Sequence, residues 1–283
     1  MQQMASEITQ RLIAAGGGDV VAELAGPLPA MVIADLLGVP REDREQFKAW
    51  STALVTTDIA AREPLRSNLE AAAALYEYFR AFLDERRARP RPDLMSALVT
   101  AEVEGLRLTE DELLGFCLLL LVAGHETTTN LISNTIAVLA ERPAIITRLA
   151  EQPSLLPSAV AEMLRFDSPV QGLSRTLTSD VRLHDVAMST GDTVLLLFGS
   201  ANRDDRVFPD PDRFDIARTV DRQLAFGRGI HFCLGAALAQ LETRTVFEEL
   251  LRRTRSWQLD PDAPAVRLRS GPIRGYASLP VLL

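Results

Sequence analysis

Residues 107–142 constrain the fold more than any other part of the chain, because they carry one long helical pattern, RLTEDELLGFCLLLLVAGHETTTNLISNTIAVLAER. Thr109 followed by Glu112 matches the capping box that begins many helices. The pattern stops before Pro143. A helix of about 33 residues is roughly 50 Å long. The sequence therefore predicts a fold that one helix crosses from side to side.

The rest of the first half also indicates helices, whereas the strand signals lie in the second half. Leu69, Phe79 and Leu83 belong to apolar positions that recur every three or four residues, as on one face of a helix. β-branched residues and turn residues alternate over 173–198, which favours a small β region. We expect helices over 5–15, 31–38, 41–55, 64–89, 107–142 and 234–253, an irregular loop over 201–223, and a short β tail over 276–283.

These patterns predict a mainly α fold with a small β region and, without a recognisable linker, a single domain over residues 1–283. With 30 basic against 38 acidic residues the net charge is −8, which argues against a general nucleic-acid binder. Two cysteines do not suggest a disulfide framework. The longest apolar run, 113–124, is too short to span a bilayer, and the first residues lack a signal-peptide pattern. We therefore predict a cytoplasmic protein without a membrane span.

Cys233 stands in a glycine-rich stretch, AFGRGIHFCLGAALAQLE, directly before a predicted helix. Gly227 permits unusual backbone angles, and Gly235 leaves space for a flat, bulky group. The helix start directs N–H groups and a positive dipole end at the sulfur, which favours the thiolate. Three readings stay open: a buried structural cysteine, a nucleophile with His231 as its base, or one axial ligand of a metal in a macrocycle. A lone cysteine does not suit structural zinc.

The stretch AGHETTTN, residues 123–130, interrupts the long apolar helix with polar groups. Glu126 in an interior has to be paired or protonated. Thr127 can hydrogen-bond the carbonyl of Ala123, which loosens a helix, and Ala123 and Gly124 remove side-chain bulk. We expect a notch with an acid and an alcohol beside it, which suits proton delivery. The motif is not the zinc pattern of two histidines, because position 129 is Thr.

Glu162 and Arg165 stand three residues apart, so they share a helix face. Their apolar neighbours, which include Met163 and Phe166, favour a buried pair. A buried pair needs further partners, and Arg213 in the loop PDRF is the candidate. We expect this group to be structural rather than catalytic.

Taken together, the three motifs resemble those of the cytochrome P450 family, soluble bacterial haem-thiolate monooxygenases. The cysteine loop is similar to the family's haem-binding pattern, from Phe226 through Gly229 and Cys233 to Gly235. AGHETT resembles its oxygen-binding helix. Glu162 and Arg165, with the following FPDPDRF, resemble its core ion-pair network.

The resemblance implies roles for individual residues. Cys233 would be the metal ligand, the thiolate that binds the iron of haem b. Thr127 and Glu126 would be catalytic and relay protons to dioxygen. Glu162, Arg165 and Arg213 would hold the core beneath the haem. The other implied haem-binding residues comprise loop positions, distal-pocket positions and propionate contacts: Phe226, Gly227 and Gly235; Ala123 and Gly124; His231 and Arg175.

The resemblance also implies a reaction and partners. One oxygen atom from O2 would enter an apolar small molecule, by hydroxylation or epoxidation. Electrons would come from a separate ferredoxin-type protein and its NAD(P)H-dependent reductase. Residues 54–63 would cap the substrate pocket.

The chain is shorter than family members usually are, and its first helix resembles the fourth helix of the family. The resemblance therefore implies a P450 fold that lacks roughly its first third, with weak haem retention. An alternative is a truncated relic with weak or no haem binding and no catalytic activity. A non-enzymatic interaction partner is a third class, for which the sequence offers no positive signal.

Overall fold

The computed structural model describes residues 1–55 and 66–283. Most of the 54–63 segment predicted to cap the pocket, and the predicted helix start at Pro64, lie outside the described residues. Helices dominate, and the strands are short and pair in small antiparallel sheets. The prediction of a mainly α fold with a small β region is confirmed.

Ten helices lie in the described part of the chain. They are α1 (Gln2–Ala14), α2 (Pro27–Leu37), α3 (Arg44–Val55), α4 (Arg66–Ala88), α5 (Leu94–Thr100), α6 (Glu110–Ala140), α7 (Pro143–Glu151), α8 (Leu156–Phe166), α9 (Phe198–Ala201) and α10 (Ala236–Arg253). Proline opens α2 and α7, where its missing N–H costs nothing. Gly38, with φ of 79°, ends α2 in the left-handed conformation that glycine adopts readily.

Within residues 1–55 and 66–283, the strands form one three-stranded sheet and four two-stranded pairs. They are β1 (Gly17–Asp19), β2 (Glu102–Val103), β3 (Leu106–Arg107), β4 (Leu173–Thr176), β5 (Val181–Leu183), β6 (Val186–Met188), β7 (Thr193–Leu196), β8 (Gln258–Leu259), β9 (Val266–Arg267), β10 (Tyr276–Ser278) and β11 (Pro280–Leu282). The order of the larger sheet is β1-β11-β8, so the C-terminal strand pairs with the first strand of the chain. β4 pairs with β7, and β5 with β6 between them in sequence.

The long helix predicted from the sequence is α6, and it has 31 residues. Its capping box is complete: the Thr109 hydroxyl accepts from the Glu112 N–H, and the Glu112 carboxylate accepts from the Thr109 N–H at 2.8 Å. α6 contacts α2, α3, α4, α7, α8 and α10. It is therefore the element around which the other helices pack.

Two hydrophobic clusters lie along α6. The first half of the helix contributes Leu114 and Leu121 to a cluster with α2, α3 and α4. The second half contributes Leu131 and Ile136 to a larger cluster with α1, α7, α8 and α10. Leu238 of α10 packs against both clusters. The helix thus connects the two parts of the core.

The second half of α6 also buries polar side chains, which tie it to the C-terminal segment. The Asn134 amide donates to the Arg274 carbonyl at 3.0 Å. A Cβ at Gly275 would lie 1.8 Å from the Asn130 Oδ1, so only glycine allows this approach. The Trp257 indole donates to the Ile136 carbonyl at 3.0 Å. These contacts fix the C-terminal strands against the central helix.

Among the described residues, α6 is the one helix long and apolar enough to suit a membrane span. Core helices of soluble proteins commonly pass the same test. Because both hydrophobic clusters pack against α6, we interpret it as a core helix.

Candidate active site

Cys233 lies at the end of a loop that turns at two glycines. Gly227 and Gly229 have φ of 68° and 70°, in the left-handed region that other residues rarely adopt. The Cys233 N–H donates to the Phe226 carbonyl at 2.9 Å and closes the loop. α10 begins at Ala236, two residues after the predicted start, with Gly235 as its cap. The loop therefore places the sulfur directly before the first turn of α10.

The Cys233 thiol is free and its side chain is exposed, which removes the reading of a buried structural cysteine. A histidine base for a nucleophile is also missing: among the described residues no hydrogen bond joins His231 to Cys233, and His231 is exposed. A Cβ at Gly235 would lie 4.0 Å from the Sγ, so the backbone leaves open space beside the sulfur. Of the three readings, a single metal ligand fits this arrangement.

The distribution of possible metal-ligating side chains also favours a single ligand at Cys233. Within residues 1–55 and 66–283, no group of three or more His, Cys, Asp or Glu side chains could hold a metal ion. A metal at Cys233 therefore has to bring most of its own ligands, as iron does in a porphyrin. The residues present fit such a group.

Large apolar side chains are exposed on both sides of Cys233 in the sequence. Ile230, Phe232 and Leu234 are 98%, 57% and 78% exposed, and the rings of Phe226 and Phe232 lie 6.4 Å apart. Clustered exposed apolar side chains mark a surface that binds something. A flat hydrophobic group fits this surface and the open space beside Gly235.

The predicted notch lies on a face of α6 that the other helices leave uncovered. Leu119, Val122 and Ala123 are exposed and Thr127 is half-buried, with the three- or four-residue spacing of one helix face. From Thr128 onwards the helix is largely buried. The Thr127 hydroxyl donates to the Ala123 carbonyl at 2.7 Å, the bond predicted from the sequence. The uncovered face therefore ends at the acid and the alcohol.

Burial raises the pKa of the half-buried Glu126 carboxyl above its usual range. The sequence predicted that an acid here would be paired or protonated, and the direction of this shift agrees. A carboxyl with a raised pKa gives up and regains a proton nearer neutral pH. The role of Glu126 in proton delivery stays a prediction.

Gly124 has a packing role that the sequence analysis did not assign. A Cβ at this position would lie 2.8 Å from the Cδ1 of Ile33 in α2, closer than real Cβ atoms approach. The glycine therefore lets α2 and α6 pack closely behind the notch. Its predicted place at the distal pocket stays a prediction.

Glu162 and Arg165 form the predicted buried pair, and both side chains are fully buried. Arg165 donates from Nε and Nη2 to the two carboxylate oxygens at 2.7 and 2.8 Å. Its Nη1 donates to the carbonyls of Asn202 and Pro211, each at 2.9 Å. A fork-to-fork pair with further acceptors is the geometry in which a buried pair is tolerated.

The second cation of this network is Arg218, and the expected side-chain role of Arg213 is wrong. Arg218 Nε lies 3.3 Å from Glu162 Oε1. Arg213 joins through its carbonyl oxygen, which accepts from Arg218 Nη2 at 3.1 Å, while its side chain is exposed. The loop over 201–223 has no period from which the path of its backbone could be deduced, so the sequence did not distinguish the two arginines.

Asn202 links this network to the cysteine loop. This link was not predicted from the sequence. Its carbonyl accepts from Arg165, and its Oδ1 accepts from the Leu224 N–H at 2.6 Å. Its amide donates to the Ser168 hydroxyl at 2.8 Å. Because Leu224 lies three residues before Gly227, the ion pair supports the start of the cysteine loop.

The two predicted propionate contacts are both exposed. Arg175 lies on β4 opposite Val194 of β7, and its guanidinium donates to the Ser174 carbonyl at 2.8 Å. His231 lies in the short helical turn before Cys233. Leu195 and Leu196, which follow Val194, are also exposed. The haem contacts of Arg175 and His231 stay predictions.

Comparison with known proteins agrees with this geometry. The cytochrome P450 family model matches residues 59–268. The chain is 42% identical over 264 residues to "Putative cytochrome P450 123" of Mycobacterium tuberculosis, covering 93% of this chain and 65% of that protein. It is 42% identical over 270 residues to the steroid C26-monooxygenase of the same organism, covering 94% of this chain and 73% of that protein.

A solved structure has the same fold. CYP109E1 from Bacillus megaterium, in complex with testosterone, superimposes with a TM-score of 0.93 at 41% identity, over 99% of this chain and 77% of that one. The family match covers most of the chain. The chain therefore belongs to the cytochrome P450 family.

Proposed function

We propose that the chain carries the catalytic centre of a haem-thiolate monooxygenase that inserts one oxygen atom from O2 into an apolar small molecule by hydroxylation or epoxidation. The observation that carries the proposal is the exposed Cys233 thiol, set before the first turn of α10 among uncovered apolar side chains. Bound haem b would supply the redox chemistry, with the thiolate donating electron density that favours O–O cleavage.

The residues of the chain have separate tasks in this proposal. The cysteine loop holds the ligand, and its closing bond from Cys233 to Phe226 fixes the sulfur. The Thr127 hydroxyl gives up its proton, and the Glu126 carboxyl then supplies the proton that restores this hydroxyl. Arg175 and His231 orient the haem by pairing with its propionates. The apolar face of α6 excludes water and orients the substrate.

The relatives indicate the class of substrate. One is named a steroid C26-monooxygenase, and one solved structure contains testosterone. We propose a hydrophobic small molecule of that kind, and two electrons supplied by a ferredoxin-type partner and an NAD(P)H-dependent reductase. A reaction that draws on such a partner suits the cytoplasm.

The reduced CO difference spectrum tests the proposal. We expect the chain, supplied with haem, to give a strongly red-shifted Soret band that disappears in Cys233→Ala. Cys117→Ala is the matched control, because Cys117 is buried and burial raises the pKa of its thiol to about 12, which makes it a poor ligand. The band should survive in this control.

Two results would overturn the proposal. One is a red-shifted band that persists in Cys233→Ala. The other is no band from the unmodified chain even with excess haem, which supports the alternative of a relic without catalytic activity.

A further inference from the structure

His125 belongs to the AGHETT stretch and has no task in the proposed function. It is buried on α6, and its Nδ1 lies 2.8 Å from the hydroxyl of Ser51 in α3, 74 residues earlier in the chain. The backbone of Gly26, directly before α2, also hydrogen-bonds the ring. The imidazole therefore connects α6 with α3 and with the start of α2, next to the notch.

The ring is held in one protonation state. The Gly26 contact favours the protonated ring, as a carbonyl acceptor does, so one ring N–H donates to it. Burial outweighs this contact and lowers the pKa of His125 to about 4. The ring is neutral near pH 7, so we assign Nδ1 as the acceptor of the Ser51 hydroxyl. Both ring nitrogens are then satisfied.

His125 lies behind the notch rather than inside it. Successive residues of an α-helix are rotated by about 100°, so a residue two positions earlier lies on nearly the opposite side of the helix from Thr127. Thr129 adds a second tie behind the notch, because its hydroxyl contacts the carbonyls of His125 and Ala25 at 2.9 and 3.2 Å. The open face of α6 is thus fixed from its rear.

The Ser51 bond lies near the end of α3, and a second contact holds that end. The amide of Asn68 in α4 donates to the carbonyls of Ala53 and Leu54 at 2.7 and 3.2 Å. Through Ser51, any displacement of the last turns of α3 reaches His125, the residue directly before Glu126.

We propose that His125 is a positioning residue: its hydrogen bonds to Ser51 and Gly26 couple α3 to the notch and hold Thr127 and Glu126 in register for proton delivery. The inference rests on the proposed monooxygenase function. The competing explanation is that His125 only satisfies buried polar groups and stabilises the fold.

The experiment separates these two roles with a double variant. Ser51→Ala leaves a buried ring nitrogen without its partner, which destabilises. Adding His125→Phe replaces the hydroxyl and the imidazole by apolar groups and leaves only the Gly26 carbonyl without its donor, so part of the stability should return. Ser133→Ala is the control. Ser133 is a buried serine of α6, the helix that carries His125, and its hydroxyl donates within that helix to the Asn130 carbonyl.

Three quantities are measured on the haem-loaded chain. They are the urea midpoint of unfolding, the hydrogen-exchange rate of the amides of residues 123–129, and the hydrogen peroxide released per NAD(P)H consumed. The peroxide measurement uses testosterone as the probe substrate and a surrogate ferredoxin and reductase as the electron source. We expect Ser51→Ala to raise the exchange rates about tenfold and the released peroxide about threefold. The double variant should regain part of the lost urea midpoint while both defects persist.

Recovery of amide protection and of coupling together with the urea midpoint would overturn the proposal, because His125 would then act through stability alone. So would a Ser51→Ala variant that behaves like Ser133→Ala. If testosterone is not oxidised by the unmodified chain, that failure concerns the proposed function, and the exchange rates of the three variants still decide whether His125 holds the notch.

Discussion

The buried ion pair of α8 offers the substitution with the largest expected effect on stability. Glu162 accepts four hydrogen bonds: from Arg165 Nε and Nη2 at 2.7 and 2.8 Å, from the Asp215 N–H at 2.9 Å and from Arg218 Nε at 3.3 Å. Glu162→Gln keeps the shape of the side chain, so it creates no cavity. It removes the negative charge and turns an NH2 group toward donors.

The magnitude follows from the burial. Glu162 and Arg165 are fully buried, and Arg218 is mostly buried. Removing one partner of a buried pair costs about 3–5 kcal/mol, because the remaining charge is uncompensated. Here two guanidinium groups lose their shared anion, so we expect the upper part of that range. Total stabilities are about 5–15 kcal/mol, so the variant should be close to unfolding.

Equilibrium urea unfolding followed by circular dichroism measures this loss. At about 1–3 kcal/mol per molar of urea, the midpoint should fall by more than 1 M with an unchanged slope. Glu70→Gln is the matched control, because Glu70 pairs with Arg66 at 2.7 Å on the exposed surface of α4, where such pairs contribute about 0–1 kcal/mol. A Glu162→Gln loss no larger than that of Glu70→Gln would refute the reasoning.

Three further predictions concern α6. Gly124→Ala should lower the free energy of unfolding by about 1–3 kcal/mol through the contact with the Cδ1 of Ile33. The higher helix propensity of alanine should offset about 1 kcal/mol of this loss. Ile33→Val should recover part of the loss in a double-mutant cycle of urea midpoints. Burial lowers the pKa of His125 from 6.5 to about 4. Between these two pH values, the unfolded chain binds a proton on this imidazole that the folded chain does not bind. Stability is therefore complete above about pH 6.5 and falls by up to about 3 kcal/mol toward pH 4, and His125→Phe should flatten that part of the urea-midpoint profile. Thr127→Ala removes the hydroxyl bonded to Ala123 and should lower the product formed per NAD(P)H consumed, while the free energy of unfolding from urea titration falls by no more than about 1 kcal/mol. Unchanged coupling would contradict the proton-relay role.

The predictable parts of this structure are those that local sequence encodes. The capping box at Thr109 and Glu112 and the pair of Glu162 and Arg165 each involve residues three apart, so helical geometry alone brings them together. The turn at Gly227 follows from a backbone conformation that glycine favours. Each of these signals lies within one turn or one helix, and the structure reproduces all of them.

The parts that escaped prediction depend on contacts between distant segments. Choosing Arg218 over Arg213 requires the path of an irregular loop, and both arginines lie in it. The hydrogen bond of His125 joins residues 74 positions apart, and no periodicity reports which helix lies behind another. A buried histidine in an apolar helix is the signal that was available, because such a ring requires partners, but it does not identify them.

This difference in encoding has a consequence for the two halves of the candidate site. The notch of Ala123, Glu126 and Thr127 is formed by consecutive turns of one helix whose ends are fixed elsewhere. We therefore expect a substitution there to change the proposed proton delivery more than the stability. The cysteine loop depends on a chain of contacts from Glu162 through Arg165 and Asn202 to Leu224. Loss of any one of these contacts therefore affects the loop that carries Cys233. Under the proposed function, haem binding would therefore be the property most sensitive to substitutions far from the sulfur, whereas proton delivery would depend on residues in and directly behind the notch.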